Sequence, residues 1–135
     1  MHTFDIQTRF TDYDMFGHVN NNAYLQYLDL AKAMFFNEIT GRPFDPGAVS
    51  SVVVNININF CAPTRIAEPL QVRTTVAHLG DRSFTLGQAV VNPATGQVKC
   101  EGTTVMAGFD LATQTGAPLP APLKTALAEH LEKKM

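Results

Sequence analysis

The sequence predicts an α+β fold, one long helix against a curved antiparallel sheet of about five strands, with a short helix at the C-terminus. Three observations lead there. The stretch 22–39 has a helical period and is apolar over much of its circumference, so it needs a large surface to pack on. Four strand-like runs then follow with turn-sized gaps, the pattern of an antiparallel meander. The 135 residues, 45% hydrophobic and 16% charged, are expected to form one domain, 1–135, able to hold a core without staples.

Residues 3–10 alternate loosely, with Phe4, Ile6, Thr8 and Phe10 on one face, and are expected as the first strand. Residues 11–21 have no period and read as a loop rich in polar side chains. In the helix, Tyr24, Leu28, Ala31, Phe35 and Ile39 share one face, and Asn22, Gln26, Asp29, Lys32 and Asn37 share another. Asn20, Asn21 or Asn22 can cap its start, and Gly41 with Pro43 ends it. A loop over 41–50 leads to a strand over 51–60. Its alternation sends Val52, Val54, Ile56, Ile58 and Phe60 to one face and Val53, Asn55, Asn57 and Asn59 to the other. Strands over 70–79, 83–91 and 98–109 are separated by turns at Leu79-Gly80-Asp81-Arg82 and Asn92-Pro93-Ala94-Thr95-Gly96. Residues 116–122 read as a Pro/Ala linker, and Leu123, Leu127 and Leu131 mark an amphipathic C-terminal helix. A sheet of this size has two open edges, and so few charges leave little to solvate a lone protomer. A dimer at least is expected.

Ten Lys+Arg against 12 Asp+Glu give a net charge of -2, and no basic run exceeds Lys133-Lys134. Neither nucleic acid nor an anionic membrane surface is an expected partner. No apolar stretch approaches the roughly 18 residues of a membrane span. Met1-His2-Thr3-Phe4-Asp5 lacks the basic and apolar regions of a signal peptide, so a cytoplasmic location is expected. Cys61 and Cys100 have no metal-ligand spacing and are expected as free thiols.

The chemistry concentrates in 12–24. Asp12, Asp14, His18 and the carboxamides of Asn20, Asn21 and Asn22 arrive together at the start of the long helix. The first N–H groups of a helix lack internal acceptors and sit at the positive end of its dipole. They can hold a carbonyl oxygen as it becomes an oxyanion. A carboxylate just before them can activate water or attack directly. A reaction served by one carboxylate and helix N–H groups should have a leaving group that departs unprotonated. A thiolate fits, because thiols have pKa near ~8.5. The chain has no Gly-x-Ser-x-Gly elbow, no Gly-rich phosphate loop before a helix and no His-x-x-x-His pair.

The pattern Arg9-Phe10-x-Asp12-x-Asp14-x-x-Gly17-His18-Val19-Asn20-Asn21-x-x-Tyr24 continues through Phe60-x-x-Pro63, Leu70-x-Val72 and Leu79-Gly80-x-x-Ser83-Phe84. Over nearly all of 3–122 the chain resembles the hotdog-fold acyl-CoA thioesterases of the 4-hydroxybenzoyl-CoA thioesterase type. That resemblance implies a helix wrapped by the sheet, a homodimer or homotetramer with active sites between subunits, an acyl-CoA substrate and no cofactor. It matches Asp14 to the catalytic carboxylate, as base or nucleophile, and the backbone N–H of Asn21 to the group polarising the thioester carbonyl. One branch of the family has histidine where this chain has Asn21. His18 is placed with the catalytic residues, and Gly17, Asn20 and Tyr24 beside the substrate.

Plainer readings stand next to these. Asp14 can close an Asx turn, Asp12 can pair with Arg9, the asparagines can cap, and His18 can be a packed loop residue. Tyr24 and Tyr27 read as helix core. Met15 and Phe16 are expected to desolvate Asp14 and raise its basicity. For the anionic end of CoA the candidates are Arg65, Arg73, Arg82 and Lys99, with Arg82 preferred for its place on a tight turn. Two other functions compete with thioester hydrolysis: a hotdog-type hydratase or dehydratase, and a non-catalytic acyl-thioester binding protein.

Overall fold

Alternating burial and turn chemistry build one curled sheet from β1 (His2–Ile6), β2 (Ser51–Phe60), β3 (Leu70–Leu79), β4 (Ser83–Val91) and β5 (Val98–Asp110). A computed structural model describes residues 1–132, so the Lys133-Lys134 run lies outside the described residues. Every neighbouring pair is antiparallel, in the order β1-β3-β4-β5-β2. The two-residue β6 (Thr115–Gly116) adds to the end of β5. The chain leaves one edge of the sheet at β1 and returns at the other edge as β2, with α1 (Asn21–Thr40) between them.

Asn20 caps α1: its side-chain oxygen accepts the Asn22 N–H at 2.9 Å. Gly41 ends the helix in the left-handed region, φ 65°, where a side chain would be strained, and its N–H bonds to the Asn37 carbonyl. The N-terminal half of α1 packs Ala23, Tyr24, Tyr27, Leu28 and Ala31 on Leu70, Val72, Val90 and Cys100. The C-terminal half packs Phe35 and Phe36 on Val76, Phe84, Leu86 and Met106. The helix therefore runs along the strands, its start over the end of the sheet where Phe60 faces Cys100. A short α2 (Pro46–Val49) precedes β2, and α3 (Ala121–Ala128) closes the core with Leu123 and Leu127.

Three local expectations need correction. The first strand stops at Ile6: the Arg9 N–H and guanidinium both turn back to Asp12, coiling Phe10–Asp12 into a 3-10 turn and leaving Phe10 exposed. β2 carries a bulge between Val53 and Asn55, with Val54 the extra residue. Val53 therefore pairs with the inward Met106 and shares the helix side with Ile56, Ile58 and Phe60, while Val52 joins the asparagine face. At the C-terminus α3 begins at Ala121, inside the expected linker, and ends at Ala128. Leu131 lies beyond it, exposed, with its backbone bridged to Val76.

The uncovered part of the molecule is β2. Val53, Val54, Ile56 and Phe60 are exposed, and the outer edge of the strand has no partner among the described residues.

Candidate active site

The loop before α1 is a miniature hairpin. Tyr13 and Val19 form its bridge, the Asp14 N–H donates to the His18 carbonyl at 2.8 Å, and the Gly17 N–H donates to the Asp14 carbonyl at 3.0 Å. Gly17 closes the turn at φ 73°, a conformation glycine adopts without strain. Inside the turn Asp14 Oδ1 accepts the N–H groups of Phe16 at 2.8 Å and His18 at 3.2 Å. The Asx turn is real, and it occupies one oxygen of the carboxylate. Oδ2 has no partner among the described residues. The same tight turn throws Met15 and Phe16 outward, 90% and 75% exposed, so in the protomer they do not desolvate Asp14.

The base of the hairpin is fixed on two sides. The Val19 N–H donates to the Thr64 carbonyl at 2.8 Å, and the Asn20 N–H to the Asp12 carbonyl at 2.7 Å. With the Asn20 side chain on Asn22 N–H, the Asn21 N–H is left with no acceptor among the described residues. Asn21 lines a cavity of about 280 Å³ together with Asp14, His18, Val19 and Tyr24 and, from the end of β2, Phe60, Cys61, Ala62 and Pro63. Tyr24 is a buried wall of this cavity rather than a free hydroxyl. Its OH lies 2.7 Å from Thr64 Oγ1, its ring packs against Phe60, and burial pushes the phenol's pKa up.

Two buried polar networks hold these parts in place. Asp12, 3% exposed, accepts from the Arg9 N–H, the Arg9 guanidinium and the Tyr27 hydroxyl at 2.6 Å. Burial alone would raise its pKa, but the bonds from Tyr27 and Arg9 outweigh it and hold the carboxyl below its ordinary range. Burial and the Asp12 carboxylate push the Tyr27 phenol well up. The second network centres on Lys99, whose Nζ is 2.9 Å from Glu68 Oε1, 2.7 Å from Gln97 Oε1 and 3.1 Å from the Pro63 carbonyl. The Arg65 N–H and Lys99 bring the Glu68 pKa down to about 2. The Lys99 carbonyl accepts from both Cys61 and Ala62 N–H groups. Lys99 is therefore a strut behind the cavity wall, not a surface cation for a nucleotide.

The fold thus brings Asp14, His18, Asn21 and Tyr24 together. Gly17 and Asn20 stand behind them, one closing the turn and one capping the helix. Arg82 is elsewhere. It sits in the β3–β4 turn with its carbonyl on Gly108 N–H, and β5 separates Gly108 from the Cys100–Phe60 end by eight residues, about 26 Å. Sequence reasoning missed the wall over Cys61, Ala62 and Pro63. The Phe60-x-x-Pro63 motif marked that stretch, but only the strand order, with β2 returning beside β5, shows that it faces the start of α1. A larger cleft of about 540 Å³ lies between the ends of α1, α2 and α3, where Arg42 and Asp45 engage each other at 3.7 Å. Among the described residues no cluster of metal-binding side chains occurs, and no helix is long and apolar enough to cross a membrane.

Residues 8–127 match the family described as the Thioesterase-like superfamily. The chain is 29% identical over 128 residues to the long-chain acyl-CoA thioesterase FadM of Escherichia coli (strain K12), an alignment covering 94% of this chain and 97% of the other. The crystal structure of the PA5185 protein of Pseudomonas aeruginosa aligns at a TM-score of 0.85 and 27% identity over 100% of this chain and 94% of that one. A predicted thioesterase from Bacillus stearothermophilus aligns at a TM-score of 0.86 and 20% identity, covering 98% of each chain.

Proposed function

The chain belongs to the thioesterase-like superfamily, and from that membership we propose that it hydrolyses an acyl-CoA thioester to a free carboxylic acid and CoA. The observation that carries this reading is the meeting, in one cavity, of the Asp14 carboxylate and a helix-start N–H at Asn21 that has no acceptor. The thioester carbonyl accepts from Asn21 N–H, where the dipole of α1 favours the negative charge that develops on oxygen. The unpartnered Oδ2 of Asp14 either takes a proton from the attacking water or attacks the carbonyl carbon itself. CoA leaves as thiolate, and in the second route water then opens the mixed anhydride, releasing the acid and restoring the Asp14 carboxylate. Tyr24 and Phe60 form an apolar wall beside the reacting carbon, and His18 also lines the cavity. The name of the Escherichia coli relative makes long-chain acyl-CoA the first substrate to test.

A homodimer completes the proposal. The exposed edge and apolar residues of β2 suit pairing with a second copy. A two-fold antiparallel pairing centred on this strand sets Ser51 of one protomer opposite Phe60 of the other. It carries Arg82 of the partner subunit, two strands from its own Val52, towards the Asp14 cavity, and so keeps Arg82 as a candidate for the CoA end. The setting for such chemistry is the cytoplasm, in keeping with the free thiols of Cys61 and Cys100.

The test is thiol release from a panel of acyl-CoAs, read with a thiol reagent, beside enoyl-CoA hydration followed by absorbance. Thiol release is expected. Hydration without thiol release would replace the reading with a hydratase, and tight binding with neither activity would make the chain an acyl-thioester binding protein.

A further inference from the structure

We infer that the Arg65 guanidinium binds the phosphoryl groups of the CoA nucleotide at the rim of the Asp14 cavity, a step that rests on the acyl-CoA reading above. Eight lysines and arginines lie in the described residues. Five of them are engaged with carboxylates: Arg9 with Asp12, Lys32 with Asp29, Arg42 with Asp45, Lys99 with Glu68 and Lys124 with Asp81. That leaves Arg65, Arg73 and Arg82. Arg73 alternates with the inward Val72 and Thr74, so it lies on the sheet face away from α1, and its Nε bonds to Gln71 at 3.2 Å. Arg82 of the same protomer is at the far end of the sheet. Within the protomer Arg65 is the one of the three that adjoins the cavity lining: its backbone forms an antiparallel bridge with His18, and the preceding carbonyl holds Val19 N–H.

The local construction fixes the backbone of Arg65 and frees its side chain. Its N–H donates to Glu68 Oε2 at 2.7 Å, while Glu68 Oε1 is taken by Lys99 Nζ at 2.9 Å. The nearby acid is thereby neutralised by a buried lysine, and the exposed guanidinium has no carboxylate partner among the described residues. A planar fork of N–H donors suits a phosphate or pyrophosphate. The scale also fits. The pantetheine arm, with its two amides, is about as long as four or five extended residues, roughly 15 Å. Two cross-strand steps of about 5 Å, Arg65 to His18 and His18 to Asp14, plus the reach of an extended arginine side chain come to about the same length. In a protein of net charge -2 no diffuse positive field competes with this local one.

Calorimetric titration with CoA itself tests the inference without turnover. Arg65→Gln is expected to weaken CoA binding about tenfold and Arg65→Lys to recover part of the loss, whereas Arg73→Gln keeps wild-type affinity. In steady state, the ratio of kcat/KM for an acyl-CoA to that for the same acyl group on N-acetylcysteamine, which has no phosphate, is expected to fall about tenfold in Arg65→Gln. Thermal melts of each variant confirm that it folds. Arg65→Gln binding CoA as wild type does, or losing both thioesters alike, would overturn the inference and leave the hydrolase reading intact. Wild-type protein that neither binds CoA nor releases thiol from either thioester would overturn both.

Discussion

Asp14→Asn and Asp14→Ala separate the turn that the Asp14 side chain closes from the chemistry proposed for it. Asn keeps an oxygen at the Oδ1 position, so the Phe16 and His18 N–H groups still find their acceptor. The bonds change from charge-assisted to neutral, a loss of about 1 kcal/mol or less on an exposed loop. Ala removes both bonds and costs about 1–2 kcal/mol. Chemistry responds on another scale. Removing the carboxylate takes away the base or nucleophile and is expected to lower kcat by roughly 10²–10⁴, or about 3–5 kcal/mol of barrier, with little change in KM. Asp14→Asn should therefore melt within a few degrees of wild type while releasing thiol at no more than about a hundredth of its rate. Asp12→Asn is the counterpart. Its carboxylate is buried and shared by Arg9 and Tyr27, so its loss should fall mainly on stability. Thiol release is followed with a chromogenic reagent and stability by urea melts. Wild-type turnover by Asp14→Asn would end the mechanism. Single turnover in ¹⁸O water with enzyme in excess then tests base against nucleophile: label in the Asp14 carboxylate marks a mixed anhydride opened at its Asp14 carbonyl.

Sedimentation at working concentration is expected to show at least a dimer, and Ile56→Lys, a charge placed on the exposed helix side of β2, to weaken it; a 14.7 kDa particle for wild type would refute the shared site. Arg82→Ala should raise KM for acyl-CoA only if the partner subunit supplies that residue, so an unchanged KM would remove Arg82 from the binding site. Glu68 has its folded pKa lowered from 4.5 to about 2. Between those values the unfolded chain holds more protons, so stability rises with pH; the contribution is complete above about pH 4.5 and disappears as pH falls through 2. Urea melts should therefore show wild type ahead of Glu68→Gln at pH 5.5 and the gap narrowing by pH 2.5, and a constant gap would refute the assignment.

Much of the fold was legible because its signals are local. The period of 22–39, the asparagine before it and Gly41 after it fixed α1 to within a residue at either end. The turn residues likewise bounded β3, β4 and β5. What stayed hidden depends on contacts across the chain. Phe10 continues the alternation of the first strand, yet the pull of buried Asp12 on Arg9 coils the backbone there. Val52 to Phe60 alternates cleanly in sequence, yet one bulge exchanges the faces of Val52 and Val53. Lys99 read as a surface cation because nothing next to it in sequence announces Glu68, 31 residues earlier, as its partner. In the site, Asp14 and Asn21 were visible as residue types at the mouth of a helix. The Asn21 N–H was named by resemblance to the family; that it stays without an acceptor among the described residues follows from the Asn20 side chain going to Asn22 N–H, which no spacing announces.

The site is a joint between two segments far apart in sequence, and its polar chemistry explains why the joint holds one geometry. The hairpin and helix start contribute Asp14 and Asn21; the stretch after β2 contributes the facing wall. Two bonds cross between them, Val19 N–H to the Thr64 carbonyl and the Tyr24 hydroxyl to Thr64 Oγ1, both at a residue that is fully buried. A buried threonine with either bond missing would leave a polar group unsatisfied, at about 1–3 kcal/mol. Sliding the wall relative to the helix would break both together. Lys99 and Glu68 tie the far side of the same stretch to β5, and Asp12 with Tyr27 ties the hairpin to α1. Each network is closed on its own partners. Among the described residues Asp14 Oδ2 and the Asn21 N–H stay open at the joint, beside the His18 imidazole and the Asn21 side chain, and the first two are the groups on which the proposed hydrolysis rests.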